Sequence, residues 1–389
     1  MKLQLTAASL AAVSLAALSL VVSAQSGTGG PSFSFVPHDV TTSLQGGYQT
    51  ITADLNKDGK PDIIALATRL PELAWYENPT WTRHVLASGF ERLINVAAAD
   101  LDGDRIPELA VAASFATRPE ASQGLVFLLT HGADVREPWS MREIDRAPTT
   151  HRLRWFAADG GETWLINAPL VGEKSQKPDD KVPTPIYYYR PPDWKRQLVT
   201  DAEEGVVHGI EPATWDGTSG QVVLSAGFMG IHRYQFSGGR WQRTEVSAGD
   251  PAPWPKSGSS EVKVGHLGRE QFVAAVEPWH GNEVVIYRDR HGTWDRQVVD
   301  TELTNGHTIV IADLDGDGRD EVIAGQTQGK RAVWIYTATG DTWLRSTLDP
   351  EMGASACAAS DVNGDRRIDL VCIGGTTLRW YENTSHRRP

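Results

Sequence analysis

Short apolar runs recur along the chain, bounded each time by polar residues. Val322-Ile323-Ala324 and Leu370-Val371-Cys372 are examples; each follows an acidic loop, and such runs at the ends of tight loops predict β-strands. An aromatic-rich strand follows in seven places, starting at Ala74, Val126, Ile186, Ile231, Val284, Val333 and Leu378. After six of these a Trp opens a further strand, at Trp81, Trp139, Trp194, Trp241, Trp294 and Trp343. The seventh has no such successor before Pro389, but near the N-terminus Phe35-Val36-Pro37-His38 matches Trp81-Thr82-Arg83-His84. The pattern therefore predicts an all-β chain: a seven-bladed β-propeller of four-stranded blades, about 50 residues each, closed by its N-terminal strand. The repeated Trp residues are expected in the packing between blades.

Four loops in this pattern share one chemistry. Oxygen-bearing side chains stand at the first, third, fifth and ninth places: Asp54, Asn56, Asp58, Asp62; Asp100, Asp102, Asp104, Glu108; Asp313, Asp315, Asp317, Glu321; Asp361, Asn363, Asp365, Asp369. Converging oxygens suit calcium, which accepts six to eight of them. An EF-hand would need Glu at the twelfth place, where Ala65, Val111, Ala324 and Cys372 stand instead. The loops resemble the FG-GAP or VCBS repeat of integrin-α-like propellers. That resemblance implies further ligands from the seventh-place carbonyls of Lys60, Ile106, Arg319 and Arg367. Gly59 and Gly318 ease the turn at the sixth place; Arg105 and Arg366 replace Gly in the other two loops, which are expected to bind more weakly. Blades 3 to 5 lack the loop, so the calcium is expected to be structural.

With 49 acidic against 37 basic residues the chain is acidic, which disfavours nucleic acid as a partner. Residues 1–24 carry one Lys, an apolar stretch and Val22-Ser23-Ala24, the pattern of a secretory signal peptide rather than a membrane span. A flexible lead, 25–32, and a single propeller, 33–389, are expected to follow, in a secreted or periplasmic protein. Cys357 and Cys372 fall nearly opposite each other around the last loop; two buried thiols are favoured over a cross-strand disulfide.

The loops entering the first strand of a blade, and those leaving the second, lie on the face opposite the acidic loops. There the sequence collects His151, His208, His280 and His307, with Glu211 and Glu277 nearby. Such residues can form a transition-metal site or an acid–base pair; each His could equally cap a turn. Arg69, Arg92 and Arg152 are candidates to hold a substrate's hydroxyls or carboxylates, and Trp279 to stack on a sugar ring.

The segments His208-Gly209-Ile210-Glu211-Pro212, Glu277-Pro278-Trp279-His280-Gly281 and Asn305-Gly306-His307 resemble the propeller part of the fungal aldos-2-ulose dehydratases. That resemblance implies loss of water from a keto-sugar at a metal-assisted site, and an isomerase step belonging to a cupin-like part is not expected here. On it, His151, His208 and His307 are expected to hold zinc or another divalent transition metal, with His280, Glu277 and Glu211 as proton-transfer groups. The expected function is a carbon–oxygen lyase, a keto-sugar dehydratase or eliminase, whose partner is a small sugar or glycan. A non-catalytic propeller that binds glycans or proteins remains the alternative.

Overall fold

The computed structural model describes residues 22–23, 33–329 and 331–385. The segments expected to be a signal peptide, 1–24, and a lead, 25–32, lie outside them, apart from Val22–Ser23, which pairs alongside Ser34–Thr41. Seven antiparallel sheets form a seven-bladed β-propeller. The channel-lining first strands of blades 1 to 7 are Gly47–Ala53, Asn95–Ala99, Thr150–Ala157, Val207–Thr214, Glu261–Leu267, Gly306–Ala312 and Ala356–Ser360. Blade 7 is completed by Asp369–Gly374, Thr377–Asn383 and, as its outer strand, the N-terminal Ser34–Thr41. The ring therefore closes as the aromatic count predicts.

The blades stack because their second strands are apolar on both faces. In Asp62–Ala67 every residue is buried. Alternate side chains point to opposite faces of a strand: Ile63 and Ala65 pack against blade 7, whereas Ile64 and Leu66 pack against blade 2. Leu109 and Val111 likewise face blade 1, and Ala110 and Ala112 face blade 3. Seven such clusters, one per interface, form a core that runs around the ring. Trp139 and Trp194 are buried at the interfaces, while Trp81, Trp241, Trp294 and Trp343 are half-buried because outer strands meet solvent on one side.

A second tie repeats between blades. A Tyr on the third strand of one blade, and an Arg on or before its third or fourth strand, share a carboxylate supplied by the preceding blade. The sets are Tyr189, Arg196 and Asp145; Tyr234, Arg243 and Glu203; Tyr336, Arg345 and Asp300; Tyr381, Arg379 and Asp349.

The structure corrects the expectation of free thiols. Cys357 and Cys372 are joined by a disulfide, with Cα atoms 4.1 Å apart. They are directly opposed residues of Ala356–Ser360 and Asp369–Gly374, so their side chains leave the sheet on the same face.

Candidate functional site

The upper end of the channel is built from a repeated irregularity. In blades 3, 4 and 6 the second residue of the first strand is His151, His208 or His307, and in blade 1 it is Tyr48. At each of these the ladder slips: Thr150 pairs with Pro169 and Arg152 with Ala168, which leaves His151 without a partner. The same slip brackets His208, His307 and Tyr48. A bulge inserts one unpaired residue and re-aims its side chain. Here the re-aimed rings meet: centroids lie 4.8 Å apart for His151 and His208, 5.3 Å for His208 and His307, and 5.2 Å for Tyr48 and His307. His280 joins them from the loop after the second strand of blade 5, 4.7 Å from His208.

Three of these rings form a possible ligand set. Nitrogens of His208, His280 and His307 all lie within 4.8 Å of one another, and the Nε2 atoms of His208 and His280 are 3.1 Å apart. His208 Nδ1 is 3.0 Å from Glu261 Oε1, and His307 Nδ1 is 2.7 Å from the Ser355 carbonyl oxygen. Both oxygens only accept, so each Nδ1 carries the proton and each Nε2 keeps a lone pair. Burial and the neighbouring imidazoles push His280 down to about 2; burial, His208 and Arg152 push His307 down to about 3. Burial and Arg152 also lower His208. Neutral imidazoles facing each other, two of them oriented through their other nitrogen, fit a divalent transition metal.

His151 does not join that set. Its Nε2 accepts from Arg152 Nη1 at 2.9 Å and lies 3.1 Å from the Tyr48 hydroxyl, so His280 takes the place expected for it. Burial and Arg152 hold His151 well below the usual histidine value. Arg152 also donates to Glu261 at 2.8 Å. Burial alone would push Glu261 up, but Arg152 and His208 hold it below the ordinary carboxylate range.

The channel cavity beside these groups has a volume of about 660 Å³. Of the expected substrate-binding residues, Arg152 lines it, whereas Arg69 and Arg92 are exposed and Trp279 packs on Phe228 beside His280. Glu211 lines it too, paired with Lys263. Glu277 is a correction. Its carboxylate accepts from the Tyr287 hydroxyl at 2.6 Å and Arg296 Nε at 2.9 Å, so it forms a Tyr–carboxylate–Arg set like those between blades, here within blade 5 itself. Burial pushes it up to about 7 against those two partners. Sequence reasoning missed Glu261, which follows Ser259-Ser260 with no His beside it. The signal was positional: it opens the first strand of blade 5, level with the His residues of blades 4 and 6.

On the opposite face the four acidic loops share one hydrogen-bond pattern. The ninth-place acid accepts from the backbone N–H of the second residue in each: Leu55 to Asp62, Leu101 to Glu108, Leu314 to Glu321 and Val362 to Asp369, at 2.9 to 3.0 Å. The fifth-place Asp accepts from the N–H of Lys60, Ile106, Arg319 or Arg367. Burial pushes Asp62 up to about 7, Glu321 to about 9 and Asp369 to about 6, and raises Glu108 as well. Buried acids that resist ionising beside other acids are what a bound cation would neutralise, so the loops fit calcium. Arg105 and Arg366 adopt φ of 73° and 69°, where the other two loops place Gly59 at 83° and Gly318 at 78°.

Comparisons with known proteins agree with this architecture. The family described as FG-GAP-like repeat matches residues 54–111 and 313–372, and FG-GAP repeat matches 94–129. The family described as aldos-2-ulose dehydratase, beta-propeller domain, matches residues 124–290. Aldos-2-ulose dehydratase of Phanerodontia chrysosporium is 26% identical over 300 residues, 67% of this chain and 33% of that protein; the chain thus spans about a third of its relative's length. Among solved structures, the Dos1 propeller superposes with a TM-score of 0.55 at 10% identity, covering 94% of this chain and 89% of the other. A putative 6-phosphogluconolactonase from Bacteroides uniformis gives 0.51 at 14%, covering 88% and 97%. These two likenesses concern the fold alone. The chain is a seven-bladed β-propeller with FG-GAP repeats in its first two and last two blades, similar through its middle blades to the β-propeller domain of aldos-2-ulose dehydratase.

Proposed function

We propose that the chain is a secreted, calcium-stabilised lyase that eliminates water from a keto-sugar at the upper-face His site. The observation that carries this reading is the convergence of ring nitrogens of His208, His280 and His307 within 4.8 Å of one another, two of the rings fixed through Nδ1 by Glu261 and Ser355. The relative named for a dehydratase supports the reaction class. A Cys357–Cys372 disulfide and the N-terminal signal pattern support an oxidising compartment.

His208, His280 and His307 would hold zinc or a similar ion. Such an ion, when bound, supplies polarisation of a keto oxygen and so acidifies the adjacent C–H. Proton transfer falls to Tyr48 and His151. The Tyr48 hydroxyl accepts the proton from carbon as its own passes to His151 Nε2, 3.1 Å away, while Arg152 Nη1 gives up its hydrogen bond to that nitrogen and keeps the one to the Tyr48 oxygen. The β-hydroxyl then leaves with a proton from Tyr48, which His151 restores, so the balance is one alkene and one water. Arg152 Nη1, 3.2 Å from the Tyr48 oxygen, stabilises the charge that gathers there. His151 stays neutral between turnovers because burial and Arg152 disfavour its protonated form.

The test is elemental analysis of protein purified without affinity-tag metals, paired with an enone-absorbance assay on keto-sugars. One transition metal per chain, lost in His208→Ala and His307→Ala while calcium stays, is expected, together with Tyr48-dependent absorbance. Calcium alone with no turnover would replace this reading by that of a propeller that binds glycans or proteins.

A further inference from the structure

The channel carries a second group of charges below the His site. Arg152 and Arg154 are two residues apart on Thr150–Ala157, hence on the same face of the strand and about 7 Å apart along it. Glu261 and Lys263 are related in the same way on Glu261–Leu267. The upper tier, Arg152 with Glu261, is an ion pair. The lower tier holds Arg154, Lys263 and Glu211, and all three line the cavity. Lys263 is paired with Glu211. Arg154 is not paired with any carboxylate within 4.0 Å among the described residues.

Arg154 is held in place all the same. Its Nη1 donates to Asn95 Oδ1 at 3.1 Å and to its neighbour's carbonyl, Leu153 O, at 2.8 Å. Asn95 Oδ1 is itself fixed by the Leu153 N–H at 2.9 Å. The Nε and Nη2 donors have no hydrogen-bond partner among the described residues, and the side chain is half-buried, reached from the channel. Burial and the Arg152 charge pull its pKa down, a cost that an anion alongside would remove. The one further charged lining residue among the described residues is Asp320, next to the acidic loop on the opposite face, where it accepts from the His266 N–H at 2.7 Å; Thr50, Ala97, Ile311 and Ala358 are uncharged.

We propose that Arg154 is a carboxylate-binding subsite, and that the ligand of this channel is an acidic sugar of the uronic acid class, its carboxylate on Arg154 and its opposite end at the His site. The lower tier carries one positive charge in excess, which matches a monoanion rather than a phosphate dianion. A planar guanidinium with adjacent donors on Nε and Nη2 takes a carboxylate through two parallel bonds. This extends the lyase reading only in making the ligand a sugar; the anion subsite stands on Arg154 alone.

Isothermal titration calorimetry of the full chain would compare glucuronate, glucose and glucose 6-phosphate as probes. Glucuronate is expected to bind at least about tenfold more tightly than glucose, and Arg154→Gln to abolish that difference while leaving glucose binding unchanged. Arg154→Lys, which keeps the charge and loses the paired donors, is expected to retain part of it. Equal affinity for glucuronate and glucose, absence of binding by either, or a preference that survives Arg154→Gln would overturn the proposal. Tighter binding of glucose 6-phosphate than glucuronate would do the same. Turnover by the wild type, followed beside binding, separates the two readings: a glucuronate preference in a chain that eliminates water from no keto-sugar supports the subsite and removes the lyase, whereas turnover of neutral keto-sugars without any acid preference does the reverse.

Discussion

Chelating calcium should make stability fall as pH rises, and one side chain should account for much of the fall. Glu321 is buried at the ninth place of its loop, beside Asp313, Asp315 and Asp317, and burial pushes it from 4.5 to about 9. Asp62 rises from 3.8 to about 7 for the same reason. The sign follows from proton counts. Between the unfolded and folded pKa values the folded state holds the proton that the unfolded state has released, so stability declines with pH across that window and is level above it. For Asp62 the window runs from about 4 to 7, and three units correspond to a loss on the order of 4 kcal/mol. Calcium is expected to reverse the effect, because it would bind the ionised acids and add about 2.7 kcal/mol per site at a hundredfold excess over Kd. The assay is thermal unfolding at pH 5, 7 and 9, with chelator or with calcium, on wild type and Glu321→Gln. Gln keeps an oxygen for the Leu314 N–H and removes the charge. In chelator the variant should unfold at a higher temperature than wild type at pH 9 and at a similar one at pH 5; in calcium it should be the less stable protein. A chelated wild type whose midpoint is flat from pH 5 to 9, or a variant destabilised equally with and without calcium, would refute the reasoning.

Other expectations follow from single residues. Arg105→Gly relieves a left-handed backbone on an exposed residue, and a gain of about 1 kcal/mol is expected in urea titrations with calcium present. Asp145→Asn removes the charge shared by Tyr189 and Arg196 across the interface of blades 2 and 3 and should cost about 2 kcal/mol by the same measurement. Deleting residues 33–41 exposes the pairing edge of Thr377–Asn383 and removes the fully buried Phe35; loss of a cooperative transition in calorimetry is expected, not a small shift in midpoint.

Much of the fold was legible because it rests on repetition. The aromatic and Trp-led strands counted seven blades, and the match of Phe35 to Trp81 located the closing strand. His208, His280 and His307 stood out as uncommon residues in upper loops. What the sequence hid was side-chain direction. Glu277 lies three residues from His280 yet ends a strand whose geometry turns it toward Tyr287 and Arg296. His151 is adjacent to Arg152, and only the folded ring shows that this guanidinium and Tyr48 occupy its Nε2. Glu261 comes from a blade without a bulge and reaches the site by pairing across blades, which no local pattern reports.

The bulges at Tyr48, His151, His208 and His307 have an evolutionary consequence. Each of these residues stands outside the register of its own hairpin. Its identity can therefore drift without disturbing the strand pairing that holds the ring. The chain behaves as a socket with four interchangeable pins: a few substitutions at its mouth could recruit a different ion, or none, while the scaffold is inherited unchanged.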